Sequence, residues 1–452
     1  MAQRKKKKKV QSQHTTTKPA YKGSPDKAHV VVKKILQVYG LAPDTLDSFT
    51  RLQRSYLFYS PVEPIRVKVE EGHRVPRRLV NFMAESTHRF MRTHCFGDAS
   101  IGLTCLEFST YGVSLALMLN AAPSSHLFQP GELEMLASVA KVINYERVVK
   151  DLEIVGKHIR KVVMMISKVN FRIYGYTWQI RNTAGVEIAS TVFMSSEEPI
   201  SIRFKHKQKE RVAFRVRAGR VINEPPHNAR IDRWFIFYRD ESPSVYLDIY
   251  IQSHALQRVK ERMDIFPAHK RNFYVMEPLL YMHEVRSSPA GRPMLTCYFM
   301  ANDRRVCLGY FPFIIQKNRL IVLTFLPLAS SSTMTGAYLC RQLGLQTEDM
   351  VFLGMDKLSF YLTVDFEQIP MLKEAIAATE IRHLMEYAAN DPEMNFVIDQ
   401  KKTQMVKRFF ERKAEFEAAA VDDYGEEADL QSAPDPVEEQ TAAPSDVLHD
   451  PQ

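Results

Sequence analysis

The chain is short of the residues that most often announce a chemistry. Five cysteines occur in 452 residues, at Cys95, Cys105, Cys297, Cys307 and Cys340. None forms a CxxC pair or a metal-ligand spacing with histidine, so neither a disulfide scaffold nor a metal site is expected. They read as small core residues of a reducing compartment. Seventeen glycines is a low count for this length. There is no Gly-rich phosphate loop, no GxSxG, no HExxH and no paired-acid nuclease motif, and no cofactor is expected. The longest apolar run, GVSLALMLNAA from Gly112, falls short of the ~20 residues a membrane span needs. The N-terminal lysine run leads into no apolar segment, so a secretory signal is not expected either. A cytoplasmic protein without membrane contact is the expectation.

Positive charge, by contrast, is abundant and unevenly placed. The formal charge is +9, yet from Ala414 onward there are twelve Asp and Glu and no Lys or Arg, which leaves +21 on the remainder. Eight of those charges fall in the first 24 residues, around RKKKKK at Arg4 to Lys9. Between Lys157 and Asp240, seventeen basic residues face seven acidic ones.

The densest stretch is IRFKHKQKERVAFRVRAGR, residues 202–220. Strand side chains alternate faces, so odd positions would carry Arg203, Lys205, Lys207, Lys209, Arg211, Arg215 and Arg217 on one side. A five-residue HKQKE loop would keep that parity through a hairpin, with Lys205 opposite Arg211. Like charges opposed in this way destabilise a sheet unless a counter-charge arrives, and phosphates satisfy that need. Close by, FRIYGYTWQIR aligns Arg172, Tyr174, Tyr176 and Trp178 on one face of a strand. Such aromatics beside cations suit stacking on unpaired bases, although a core face is the commoner use of the pattern.

The organisation expected is α+β: a helical N-terminal domain, then a mainly antiparallel β domain with flanking helices, and disordered termini. Residues 1–24 read as a disordered basic arm and 25–165 as the helical domain. Residues 166–328 read as a basic antiparallel-sheet domain that includes a helix at 253–263. The span 329–413 reads as an α/β extension, and 414–452 as a disordered acidic tail. Strands are expected at RWFIFYR and SVYLDIYI, with INEPPHNAR as a loop. The segment PGELEMLASVAKVINYERVVKDLEIVGKHIRKVVMMISKV reads as one long or two abutting helices. A meander, MLTCYFM, RRVCLGYFPFII and RLIVLTFLPL, closes the sheet.

One short helix, SHALQRVKERM, directly follows a strand, with Ser253 placed as its N-cap. His254, Arg258 and Arg262 recur every fourth residue and so share a helical face, with Glu261 a quarter-turn away. A titratable imidazole beside two guanidiniums is a set suited to phosphodiester cleavage, with Glu261 as an alternative acid or base. The pattern HAxxRxxxR between a strand and a meander ending in Thr324 and Phe325 resembles small toxin-like domains of the RelE-type ribonuclease superfamily. The resemblance covers residues 246–328 and implies ribonuclease activity with His254, Arg258 and Arg262 at the site. It departs from the pattern in a long connection between helix and strands, and in being embedded in a larger chain.

Nucleic-acid binding, to RNA in the first instance, is therefore the leading expectation. A ribonuclease is the second, and a scaffold for an acidic protein partner is the third. The chain's own acidic tail is suited to compete for the same cations.

Overall fold

The computed structural model describes residues 25–51, 53, 54, 57, 65–121, 130–183, 187–217, 230–232, 246–281, 284–301, 304–390 and 396–427. The N-terminal arm, the NTAG and INEPPHNAR turns, the strand expected at RWFIFYR and the end of the acidic tail all lie outside those residues, wholly or in part.

Helix α1 (Pro25–Val38) forms because Val31, Val32, Ile35 and Leu36 repeat on one buried stripe. It stops at Gly40, whose φ of 74° and paired hydrogen bonds back into the last turn make a glycine C-terminal cap. A short strand, β1 (Arg66–Val69), precedes α2 (Arg77–Thr93), which turns Met83, Thr87 and Met91 inward. Helix α3 (Cys105–Ala121) begins at a reciprocal cap: Thr104 Oγ1 accepts from the Glu107 amide, and Glu107 Oε2 accepts from Thr104. The one long or two abutting helices expected next are three: α4 (Pro130–Val142), α5 (Tyr145–Asp151) and α6 (Glu153–Ile166). Asn144 breaks the run, because its side chain caps α5 by accepting from the Arg147 amide.

The change of period near residue 170 marks the start of the main run of strands. Strands β2 (Ile173–Thr183) and β3 (Glu187–Glu197) pair antiparallel, and β1 adds to β3 in parallel, Arg66 opposite Thr191. This small sheet shares its core with the helices, since Tyr174, Tyr176, Val192 and Met194 pack with Val155, Ile159 and Phe108. The front core thus extends well past residue 165.

The larger sheet is built from β4 (Ser201–His206), β5 (Lys209–Arg215), β6 (Arg230–Asp232), β7 (Tyr246–Gln252), β8 (Val285–Ser287), β9 (Pro293–Ala301), β10 (Arg304–Gln316), β11 (Arg319–Val322) and β12 (Leu326–Pro327). Its main order is β4-β5-β7-β11-β10-β9-β8, with β6 on β7 and β12 on β10. All pairs are antiparallel except β7 with β11. Two helices cross between β7 and β8: α7 (Ser253–Arg262) and α8 (Ala268–Tyr281). The second fills what the sequence reading leaves as a long connection.

One face of the sheet, with Ile249, Ile251, Leu320 and Val322, packs on α7 and α8. The other carries a smaller cluster of Phe204, Ala213, Tyr250 and Ile321. Gly309 breaks the β9–β10 register; a Cβ there would stand 2.1 Å from the Leu326 carbonyl oxygen. Beyond β12, helices α9 (Met334–Leu343), α10 (Thr347–Leu353), α11 (Phe360–Thr363), α12 (Pro370–Ala377) and α13 (Ile381–Asn390) close a third cluster with Tyr298 and Tyr310.

The last helix, α14 (Gln400–Glu427), runs fourteen residues into the tail expected to be disordered from 414. KAEFEAAA is a run of strong helix formers, so the acidic composition does not stop the helix there. The fold is α+β. No helix among the described residues is long and apolar enough to cross a membrane.

Candidate functional site

Strands β4 and β5 are joined by a two-residue turn, Lys207–Gln208, with φ of 48° and 62°. Positive φ at both positions is the geometry whose twist matches antiparallel strands. The register follows from it: His206 faces Lys209, Lys205 faces Glu210, Phe204 faces Arg211 and Arg203 faces Val212. An even-numbered loop reverses parity across the hairpin. The seven odd-numbered cations therefore do not share a face, which corrects the expectation built on a five-residue loop. Arg203 and Lys205 lie on one side with Glu210; Lys209, Arg211 and Arg215 lie on the other with Phe204 and His206.

Two of the seven are occupied internally. Arg215 holds Asp248 at 2.7 Å. Arg217 holds Glu197 at 2.7 Å and donates to the Glu198 carbonyl. Arg203, Lys205, Lys207 and Lys209 are exposed, with Arg203 only loosely paired to Glu210 at 3.8 Å. Arg211 is half-buried, and its Nε is closed off from water with no hydrogen-bond partner among the described residues.

Strand β5 pairs with β7 only over Ala213–Arg215, so the outer part of the hairpin is a two-stranded ribbon. Ala213 lies opposite Gln252, the last residue of β7. Two positions further along each chain, Arg211 comes beside His254. Desolvation, then the Arg258 and Arg211 charges, holds the exposed His254 imidazole below its ordinary value. Desolvation followed by the Lys207 and Arg211 charges does the same at His206. Both histidines thus sense one positive field at the ribbon's base and along its outer part.

Helix α7 starts one residue earlier than expected. Gln252 is the N-cap and makes no side-chain cap, while Ser253 is already helical. Of the three residues on its proposed face, only His254 makes no hydrogen bond or ion pair among the described residues. Arg258 pairs with Glu261 at 2.9 Å, and that bond, with another from Gln257, holds the Glu261 carboxyl below its usual range. Arg262 is largely buried; its Nη1 donates to the Phe325 carbonyl at 2.9 Å and its Nε lies 3.6 Å from Asp356. Phe325 itself is fully buried. Arg262 and Phe325 are thus a structural couple.

The aromatic face of β2 lies elsewhere. Tyr174 and Tyr176 are buried, and Tyr176 donates to the Gly156 carbonyl at 3.1 Å. Trp178 Nε1 donates to Ser190 at 2.7 Å, its ring against Gly156. These rings pack on α6 in the small sheet, so they form no platform beside the ribbon. Alternation shows which residues share a face and is silent on what covers it.

Two clefts escape the sequence reading. One, of about 370 Å³, lies between β4 and the β10–β11 turn, lined by Arg203, Phe204, Lys205, Gln316, Lys317 and Arg319 among others. The turn, Lys317–Asn318, repeats the two-residue geometry with φ of 50° and 58°. The QKN segment signals a turn, but nothing local tells that its cations meet β4. The other, of about 900 Å³, lies between α2, α6, α8 and α13 and carries Arg89, Lys161, Lys270, Arg304, Phe90 and His158. His158 stacks on Phe90 at 4.1 Å, and burial pushes its imidazole down to about 4. Among the described residues, no group of three or more His, Cys, Asp or Glu is placed to hold a metal ion.

Comparison with protein-family models, curated proteins and solved structures finds no match to this chain.

Proposed function

We propose that this protein binds nucleic acid, RNA in the first instance, through the β4–β5 ribbon and the adjoining start of α7. The supporting observation is the cation set of Arg203, Lys205, Lys207, Lys209 and Arg211 around a single acid, Glu210, with His206 and His254 both held below their ordinary value by desolvation first and then by neighbouring cations, Arg211 among them. Exposed cations at this density repel one another until an anion arrives. Phosphates provide it and release their own counterions, so the logarithm of the affinity should fall linearly with log salt.

The test is a salt series on the full chain with RNA and DNA, beside a variant carrying Arg203→Gln, Lys205→Gln, Lys209→Gln and Arg211→Gln. The expected result is steep salt dependence whose slope drops by about 3 in the variant, at ~0.7–0.9 per phosphate lost. An unchanged slope removes the ribbon as the footprint. No binding at low salt removes nucleic acid as the ligand, and capture of an acidic polypeptide instead would favour the scaffold reading. In that case the chain's own acidic C-terminal segment becomes the first competitor to delete.

A second reading, phosphodiester cleavage, has one observation in its favour. His254 is exposed and sits beside Arg258 and Arg211, and the downward shift of its imidazole, from desolvation and then those charges, favours the neutral form a general base requires. His254→Ala with retained cleavage would end that reading.

A further inference from the structure

The ribbon accounts for the cations of β4 and β5 and leaves Lys317 and Arg319 unexplained. These two come from a hairpin more than a hundred residues away, at the opposite end of the sheet from the Lys207–Gln208 turn, because β4 and β11 run in the same direction. They nevertheless come beside β4: Lys317 and Arg319 line one cleft with Arg203 and Lys205, and Phe204 clusters with Ile321 and Tyr250. Four cations, Arg203, Lys205, Lys317 and Arg319, line the resulting cleft against the single acid Glu210. Phe204 and Ile321 supply apolar surface between them. One further atom lacks a partner. Gln316 Oε1 is closed off from water and accepts no hydrogen bond among the described residues. A buried acceptor left unsatisfied is costly, and a neighbouring N–H donor relieves it.

Resting on the proposed function, we infer that this cleft seats one unpaired nucleotide, so that the protein prefers single-stranded to duplex nucleic acid. Its volume of about 370 Å³ falls in the range of small-ligand sites and suits a unit of that size. The four cations take the phosphate, the base lies over the nearly buried floor of Phe204 and Ile321, and a rotation of the Gln316 side chain presents its Oε1 to a base-edge N–H. A paired base is stacked within its helix and must be drawn out at a cost of a few kcal/mol before it can enter. A single strand avoids that cost. Charge alone does not discriminate in this way, since a duplex offers the denser phosphate array.

The experiment uses the full chain, a labelled oligoadenylate and a labelled RNA duplex of equal length, read by fluorescence anisotropy at one salt concentration. Three variants are compared with the parent: Gln316→Leu, Arg319→Gln and Lys317→Gln. The last alters only an exposed turn residue, so its folding is not in question. The expected result is about tenfold tighter binding of the single strand by the parent. Each variant should lose single-strand affinity, by about threefold or more, while duplex affinity stays nearly constant. Equal affinity for both ligands, with all three variants silent, overturns the cleft and leaves the ribbon reading intact. Failure to bind either ligand overturns both, and a ribbon variant limited to Lys209→Gln and Arg211→Gln, neither of which lines the cleft, separates the two cases.

Discussion

Arg262 donates from Nη1 to the main-chain oxygen of Phe325 at 2.9 Å, tying the last turn of α7 to the chain just beyond β11. The main-chain oxygen of the same arginine accepts from Leu358, and its Nε faces Asp356 at 3.6 Å. One residue thus fastens the helix, the closing strand and the C-terminal extension. In the HAxxRxxxR pattern this position is one of three implied at a catalytic site, yet its guanidinium is committed inward.

Arg262→Ala should therefore destabilise the protein by about 2–4 kcal/mol, because Asp356 and the Phe325 carbonyl lose a largely buried charged partner. His254→Ala, at an exposed position, should cost less than about 0.5 kcal/mol. Urea unfolding of the two variants makes the comparison. Equal losses would show that Arg262 is no more of an anchor than His254.

The two histidines that sense the ribbon report on what it binds. His206 and His254 are both held below the ordinary 6.5, by burial first and then by neighbouring cations. NMR titration should find both midpoints low in the free protein. Adding a polyanion should move them up, since phosphates offset the charges of Lys207, Arg211 and Arg258. Midpoints that stay put with RNA bound would place the contact elsewhere.

Glu277 on α8 gives the stability profile a definite sign. Burial raises its carboxyl to about 7 against the pull of Lys161, so the fold favours the protonated form. The unfolded chain ionises from about 4.5, and the stabilisation is whole below that pH and is lost as pH rises through 7. Glu277→Gln should make the protein more stable above pH 7, by on the order of 2–3 kcal/mol, and should remove the decline. His158 works in the opposite sense. Its folded value of about 4 means that stability is whole above about 6.5 and is lost as pH falls toward 4. Thermal unfolding between pH 4 and 8 separates the two. A parent-like slope in Glu277→Gln would show that this carboxyl is not the source.

The ribbon's turn carries a removable conformational cost. Gln208 holds φ at 62°, a region that residues with a Cβ enter reluctantly. Gln208→Gly should raise the thermal midpoint, by the equivalent of about 0.5–1 kcal/mol, and leave the salt slope alone because no charge changes. A lower midpoint would mean that the glutamine side chain contributes more than its backbone conformation costs.

Much of the fold was legible in local pattern, and the site much less so. The stripe of α1, the Gly40 stop and the β9–β10–β11 meander follow from periodicity and turn residues that act over a few positions. The misplaced features depend on longer-range or finer facts. Which face Lys209 and Arg211 occupy rests on whether the turn has two residues or five, and HKQKE admits both. Tyr174 and Trp178 alternate as a platform would, but only α6 decides that they are covered. Helix α8 was hidden by Pro278 and a charged start. The second wall of the small cleft comes from a hairpin that no sequence proximity links to β4.

The parallel pairing of β1 with β3 also sets an order of events during synthesis. Arg66 finds its partner only at Thr191, and the rings of Tyr174 and Tyr176 complete a core whose helices are made first. At ~5–20 residues per second, β1 waits on the order of ten seconds for the strand it pairs with. The front of the molecule is thus left open on the ribosome until the ribbon itself is about to emerge, and a holding chaperone is most useful over that interval.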